Sequence, residues 1–132
     1  MAVQSSIVPA MQDPSADSGD LSEHVRLNRE AWDRDAVDYA EAGGRWWALT
    51  DPQWGIWHLP ESDLRLLPDD LDGKDAIDLG CGTAYVSAWL ARRGARVVGI
   101  DNSPKQLETA RRYQAQFGLE FPLLLGTAEE LQ

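Results

Sequence analysis

The sequence predicts an α/β fold, a parallel sheet whose strands are joined by crossing helices. Three apolar runs predict it: Asp75-Ala76-Ile77-Asp78-Leu79, Arg96-Val97-Val98-Gly99-Ile100, and residues 121–125. Helical patterns separate them, and strands alternating with helices mark a parallel sheet. The second run is continuous and rich in β-branched residues, as suits a strand buried on both faces. At 132 residues the chain holds one domain at most.

The first strand runs into Gly80-Cys81-Gly82-Thr83-Ala84, and this turn opens directly onto a helix. Gly80 and Gly82 leave no side chain between the backbone and whatever lies across the turn. The amides at the helix start point to the same place. The second strand ends in Asp101, about 20 residues beyond the turn, the position that grips a pair of ribose hydroxyls. Together these features describe a nucleoside-binding crevice at the carboxyl ends of parallel strands. The dinucleotide fingerprint G-x-G-x-x-G needs glycine where Tyr85 stands, which counts against a nicotinamide-dependent oxidoreductase.

Asp78, Gly80, Gly82 and Asp101, with Cys81-Gly82-Thr83 in register, resemble the first signature of the class I S-adenosylmethionine-dependent methyltransferases. Ala84 replaces the last glycine of that pattern, a strain if the position needs positive φ. The resemblance implies a Rossmann-like fold with a seven-stranded sheet in the order 3-2-1-4-5-7-6. On that pattern the chain is truncated after the third strand, a fragment carrying an amino-terminal helical and Trp-rich extension. It also implies S-adenosylmethionine as cofactor. Gly80, Cys81 and Gly82 then flank its amino acid portion, with Asp78 near the ammonium through water. Asp101 takes the ribose, and Asn102 stacks its backbone and stem on the adenine face. The third turn holds adenine, but the family's usual acidic position falls on Thr127. Ala128 is left to donate its backbone N–H, and Glu129 to reach in from its place. A Tyr39 hydroxyl near the methionine carboxylate completes the set. No catalytic residue is assigned, because methyl transfer needs alignment and exclusion of water more than a base.

Taken in order, residues 1–20 are polar and small and read as a disordered leader, with Met11 an alternative start. Residues 21–42 read as a helix, with Asp20 capping and Glu23 completing a capping box. Val25, Trp32, Ala36 and Tyr39 or Ala40 form its apolar stripe. Trp32 either packs this helix on the sheet or closes over the cofactor. Gly43-Gly44 breaks the helix. A loop then carries Trp46, Trp47, Trp54 and Trp57, either as a pocket wall or lid or as a mini-core pinning an irregular segment. His58 beside them is a candidate base for an acceptor proton, or simply solvated. Residues 60–67 suit a short helix stopped by Pro68. The acidic turn Asp69-Asp70-Leu71-Asp72-Gly73 is solvated, and no metal site is assigned.

The first strand spans 75–79. Its helix, 84–93, packs through Val86, Ala88, Leu90 and Ala91 with Trp89 at a margin, and Gly94 caps it. The second strand spans 96–100. The next helix has Ser103 as cap, Pro104 in the first position and Gln106 completing the box, and it stops at Gly118. Residues 121–125 form the third strand, and 126–130 the turn that leaves it. The domain division is therefore a leader at 1–20, a helical and Trp-rich cap segment at 21–74, and the cofactor-binding half at 75–132.

A net charge of −10 argues against nucleic acid, which needs basic patches, and favours a small-molecule methyl acceptor. The single cysteine, Cys81, cannot form an internal disulfide, which suits a reducing cytoplasm. No apolar run approaches the roughly 20 residues of a membrane span, and residues 1–12 lack the features of a signal peptide. With no fourth strand, Ala76, Ile77 and Leu79 lie on an unpaired edge, a route to self-association. The leading reading is a methyltransferase acting on a small molecule. A non-enzymatic cofactor-binding fragment, or half of a split enzyme, is the alternative.

Overall fold

The structure is a computed structural model that describes residues 2–3 and 22–130. Strands β1 (Ala2–Val3), β4 (Asp75–Leu79), β5 (Arg96–Asp101) and β6 (Leu123–Leu125) form one sheet in the order β1-β4-β5-β6. β4, β5 and β6 are parallel, and they lie in the 3-2-1 order that the resemblance implies. Helix α3 (Tyr85–Arg92) crosses from β4 to β5, and α4 (Pro104–Phe117) from β5 to β6. The carboxyl ends of all three strands therefore open on one side, where the turns after them meet.

The edge of β4 is not wholly open. Ala2 and Val3 pair antiparallel with Ile77 and Ala76, so a short piece of the segment read as leader covers that edge. Asp20 lies outside the described residues.

Helix α1 (Glu23–Trp47) differs most from the sequence reading. It begins at Glu23, so Glu23 stands in its first turn rather than as the closing member of a capping box. It does not break at Gly43-Gly44 but continues to Trp47. Two glycines inside a helix cost about 2 kcal/mol against alanine, so packing must offset them. A Cβ on Gly43 would sit 2.6 Å from the Oγ1 of buried Thr83, and one on Gly44 would sit 2.8 Å from the Tyr113 hydroxyl. The missing side chains let α1 press onto α3 and α4.

The last turn of α1 is then held by side chains. Trp47 is 0% exposed, and its Nε1 donates to the Thr83 carbonyl at 2.7 Å. Its ring packs between Phe117 and Phe121. Trp89 Nε1 donates to the Trp46 carbonyl at 3.0 Å and Arg92 to the Trp47 carbonyl at 2.6 Å. Carbonyls that a helix end leaves unpaired are thus satisfied by α3. Trp89, expected at a margin, is 1% exposed because it packs against Trp46, Trp54 and Tyr85.

The remaining tryptophan segment forms a small hairpin, β2 (Gln53–Trp54) with β3 (Leu59–Pro60), followed by α2 (Glu61–Leu64). Trp54 Nε1 donates to the buried Glu61 carboxylate, whose other oxygen accepts from the Leu67 amide, both at 2.7 Å. Trp46, Trp47 and Trp54 are therefore a mini-core, not a pocket wall. Trp57, at the hairpin tip, is 78% exposed. α2 is a single turn, shorter than expected, because Arg65 adopts a left-handed conformation after it.

Other ends move slightly: α3 starts at Tyr85, β5 includes Asp101, and β6 starts at Leu123. Ala84 does take the left-handed conformation, with φ 65°. That costs an alanine about 1–2 kcal/mol, and burying its methyl returns only about 0.8 kcal/mol.

Replacing Gly43 tests the close approach of α1. Gly43→Ala gains about 1 kcal/mol of helix propensity. The clash with rigid, buried Thr83 outweighs it, so net destabilisation of about 1–2 kcal/mol is expected. Urea unfolding measures it, and a stabilised variant would contradict the packing described.

Candidate functional site

The turns after β4, β5 and β6 enclose a crevice of about 420 Å³ under the first half of α1. Gly80 and Gly82 line it with φ of 69° and 56°, and a Cβ built on either meets nothing within 4 Å. Any side chain there would stand in the crevice itself, so the turn is an open cradle. Ile100, Asp101 and Asn102 line the next part, and Gly126, Thr127, Ala128 and Glu129 the far part.

Asp101 organises the near side. One carboxylate oxygen accepts from the Gly82 amide at 2.8 Å, and the other from the Ser103 amide at 2.9 Å. The residue is 9% exposed, and burial raises its pKa above the usual carboxylate value, an effect the two amides work against. Each oxygen keeps a second lone pair for a hydroxyl.

Asn102 is committed through its side chain. Its Oδ1 accepts from Arg29 Nε at 3.2 Å, and its Nδ2 donates to the Val25 carbonyl at 3.0 Å. Arg29 also donates to the Asn102 carbonyl at 2.9 Å. Two further contacts bring α1 down over the crevice. The Ser103 hydroxyl donates to Asp33, and His24 Nε2 lies 3.3 Å from a Glu129 carboxylate oxygen at the exposed mouth. Val25, Asn28 and Trp32 line the crevice from this helix. Their spacing of three and four residues was visible in the sequence, but not the surface they would face.

The sequence-assigned residues thus divide. Gly80, Gly82, Asp101, Asn102, Ala128 and Glu129 all line the crevice. Asp78, Cys81 and Tyr39 do not. Asp78 is buried behind the turn, where its Oδ2 accepts from the Ser87 hydroxyl at 2.8 Å. Burial raises its pKa, and the Ser87 hydrogen bond acts against that rise. The Cys81 side chain joins the core with Trp47, Ala88 and Leu107, and burial pushes its thiol well above the ordinary range. A thiol held protonated there is no nucleophile. Tyr39 lies exposed against Trp32, with ring centroids 5.9 Å apart. His58 stacks on Trp46 at 5.2 Å, outside the crevice wall. Gln106 lines the crevice, although the sequence placed it only in a helix cap.

Fold and cradle define a class, an α/β protein with a nucleoside-cofactor crevice. The comparisons narrow it. Residues 76–132 match the profile of a family described as a methyltransferase domain. Over 129 residues the chain is 32% identical to the ubiquinone biosynthesis O-methyltransferase of Alkalilimnicola ehrlichii, covering 92% of this chain and 47% of that protein. Over 48 residues it is 50% identical to the magnesium-protoporphyrin O-methyltransferase of Rhodobacter capsulatus, covering 36% of this chain and 21% of that one. A solved structure from work on conversion of a disulfide bond into a thioacetal group during echinomycin biosynthesis is 28% identical, with a TM-score of 0.52. The match covers 76% of this chain and 40% of that one. Residues 76–132 thus belong to a methyltransferase-domain family, and the chain as a whole is similar to class I S-adenosylmethionine-dependent methyltransferases. It spans about half the length, or less, of the curated relatives it matches. Among the described residues, no helix is long and apolar enough to cross a membrane.

Asp78 offers a test in pH. An acid whose pKa is raised by folding takes up a proton as the chain folds. Its favourable contribution is fully present below the unfolded carboxylate range and is lost as pH rises through the folded value. Asp78→Asn keeps an acceptor for Ser87 without the charge. The variant is expected to melt higher than the parent at pH 7, with the difference vanishing near pH 4. An unchanged difference across that window, read by thermal melting, would contradict the assignment.

Proposed function

We propose that this chain is the cofactor-binding part of a methyltransferase that transfers a methyl group from S-adenosylmethionine to a small-molecule acceptor. The observation that carries the reading is the open cradle of Gly80 and Gly82 with Asp101 beside it, its carboxylate accepting from the Gly82 amide at 2.8 Å. The relatives' names as O-methyltransferases support an oxygen acceptor. Net charge of −10 supports a small molecule over nucleic acid.

Each residue's part follows from its position. Gly80 and Gly82 admit the amino acid portion against bare backbone. Asp101 accepts from the ribose hydroxyls with its remaining lone pairs, while its bonds to Gly82 and Ser103 keep the carboxylate from turning. Ala128 offers a backbone N–H, and Asn102 its backbone and stem, to the adenine. Asp78 and Cys81 contribute through the turn they anchor: the Cys81 amide donates to the Ile100 carbonyl at 2.8 Å, tying the turn to β5. Tyr39 takes no part in this assignment, since it stands off the crevice wall.

When bound, the cofactor supplies an electrophilic methyl group on a sulfonium. The protein's part is to orient it and exclude water, worth up to several kcal/mol. Helix α1, pinned over the crevice through Arg29 and Asp33, is the element placed to exclude water.

Calorimetric titration with S-adenosylhomocysteine tests the reading. Binding by the unmutated chain is expected, with Asp101→Ala weakening it about tenfold or more, roughly one charge-assisted hydrogen bond. A folded chain that does not bind would overturn the proposal.

A further inference from the structure

We propose that Gln106 reads the 6-amino group of the cofactor's adenine, the task for which the third turn supplies threonine instead of a carboxylate. The inference rests on the cofactor reading above and goes beyond it by naming what selects the base.

Gln106 lies in the first turn of α4, and its amide donates to the Ser103 hydroxyl at 3.2 Å. A capping box would send its side chain back to the Ser103 amide. That amide is already taken by Asp101 at 2.9 Å, so the Gln106 side chain is released from the cap. It turns inward: the residue is 3% exposed and lines the crevice beside Ile100, Asn102 and Thr127. Its Oε1 is buried and has no hydrogen-bond partner among the described residues.

Such an oxygen is rare, because a buried amide acceptor without a donor loses its hydration and gains nothing in return. A donor brought by a ligand removes that penalty. The other polar side chains assigned to this wall are engaged: Asp101 by two amides, Asn102 by Arg29 and Val25, and Glu129 by His24. Gln106, by contrast, holds an acceptor without a donor, and a turn about its last side-chain bond brings that oxygen to the crevice for a base amine. An amide side chain also suits adenine, whose exocyclic amine donates next to ring nitrogens that accept.

The test compares S-adenosylhomocysteine with its purine analogue in which hydrogen replaces the 6-amino group, by calorimetry on the full chain. The unmutated protein is expected to bind the amine-bearing ligand about tenfold more tightly, the worth of one specific base contact. Gln106→Met, close in volume and without an acceptor, is expected to bind both equally. A methionine variant that keeps the full preference overturns the inference. If that variant does not fold, the side-chain amide resonance of Gln106 decides on the unmutated chain. A shift with S-adenosylhomocysteine that the analogue fails to reproduce supports the contact, and identical shifts with both overturn it. Failure of the two readings is distinguishable. No binding of S-adenosylhomocysteine by a folded chain removes the cofactor reading. Equal binding of both ligands by the unmutated chain removes only the role of Gln106.

Discussion

The carboxylate of Asp101 is the joint on which the crevice depends. Its two oxygens take amides from opposite sides, Gly82 in the turn after β4 and Ser103 at the start of α4. One side chain at the end of β5 thereby fixes the distance between the cradle and the next helix. Burial works against the charge, and the two charge-assisted bonds work for it. A neutral residue of the same size would keep one acceptor at most and would let the glycine turn relax. The same contact has a second consequence, because by occupying the Ser103 amide it frees Gln106 from the helix cap.

A second constraint lies at the far end of α1. Trp47, Trp89 and Arg92 lock the last turn of that helix against α3, and Gly43 and Gly44 permit the close approach. A helix clamped at its carboxyl end is also held near its amino end, by Arg29, the Val25 carbonyl, Asp33 and an exposed His24–Glu129 pair. The exposed pair is worth little.

Much of the candidate site was legible before the structure. The strand, turn, helix and second strand ending in acid are a local arrangement, so Gly80, Gly82 and Asp101 announce it by spacing alone. The Ser103 cap and the Pro104 start of α4 were readable for the same reason. Three features were not. Gly43-Gly44 reads as a helix break because propensity is local, while Thr83 and Tyr113, which explain the glycines, lie about 40 and 70 residues away. The tryptophans signalled large apolar surface but not which surface they would cover. Gln106 carried the spacing of a capping box, and only the competing bond from Asp101 showed that its side chain goes elsewhere.

By itself the sequence determined the parallel β4-α3-β5-α4-β6 core and the open glycine turn beside Asp101, because chain connectivity, glycine placement and strand-end acids act over a few residues. Tertiary structure alone decided how far α1 runs, that the tryptophan segment is a mini-core, that Ala2–Val3 covers the β4 edge, and that Gln106 lines the crevice. Those outcomes depend on contacts between residues distant in the chain, where packing and competition for hydrogen bonds outweigh the preferences of any single stretch.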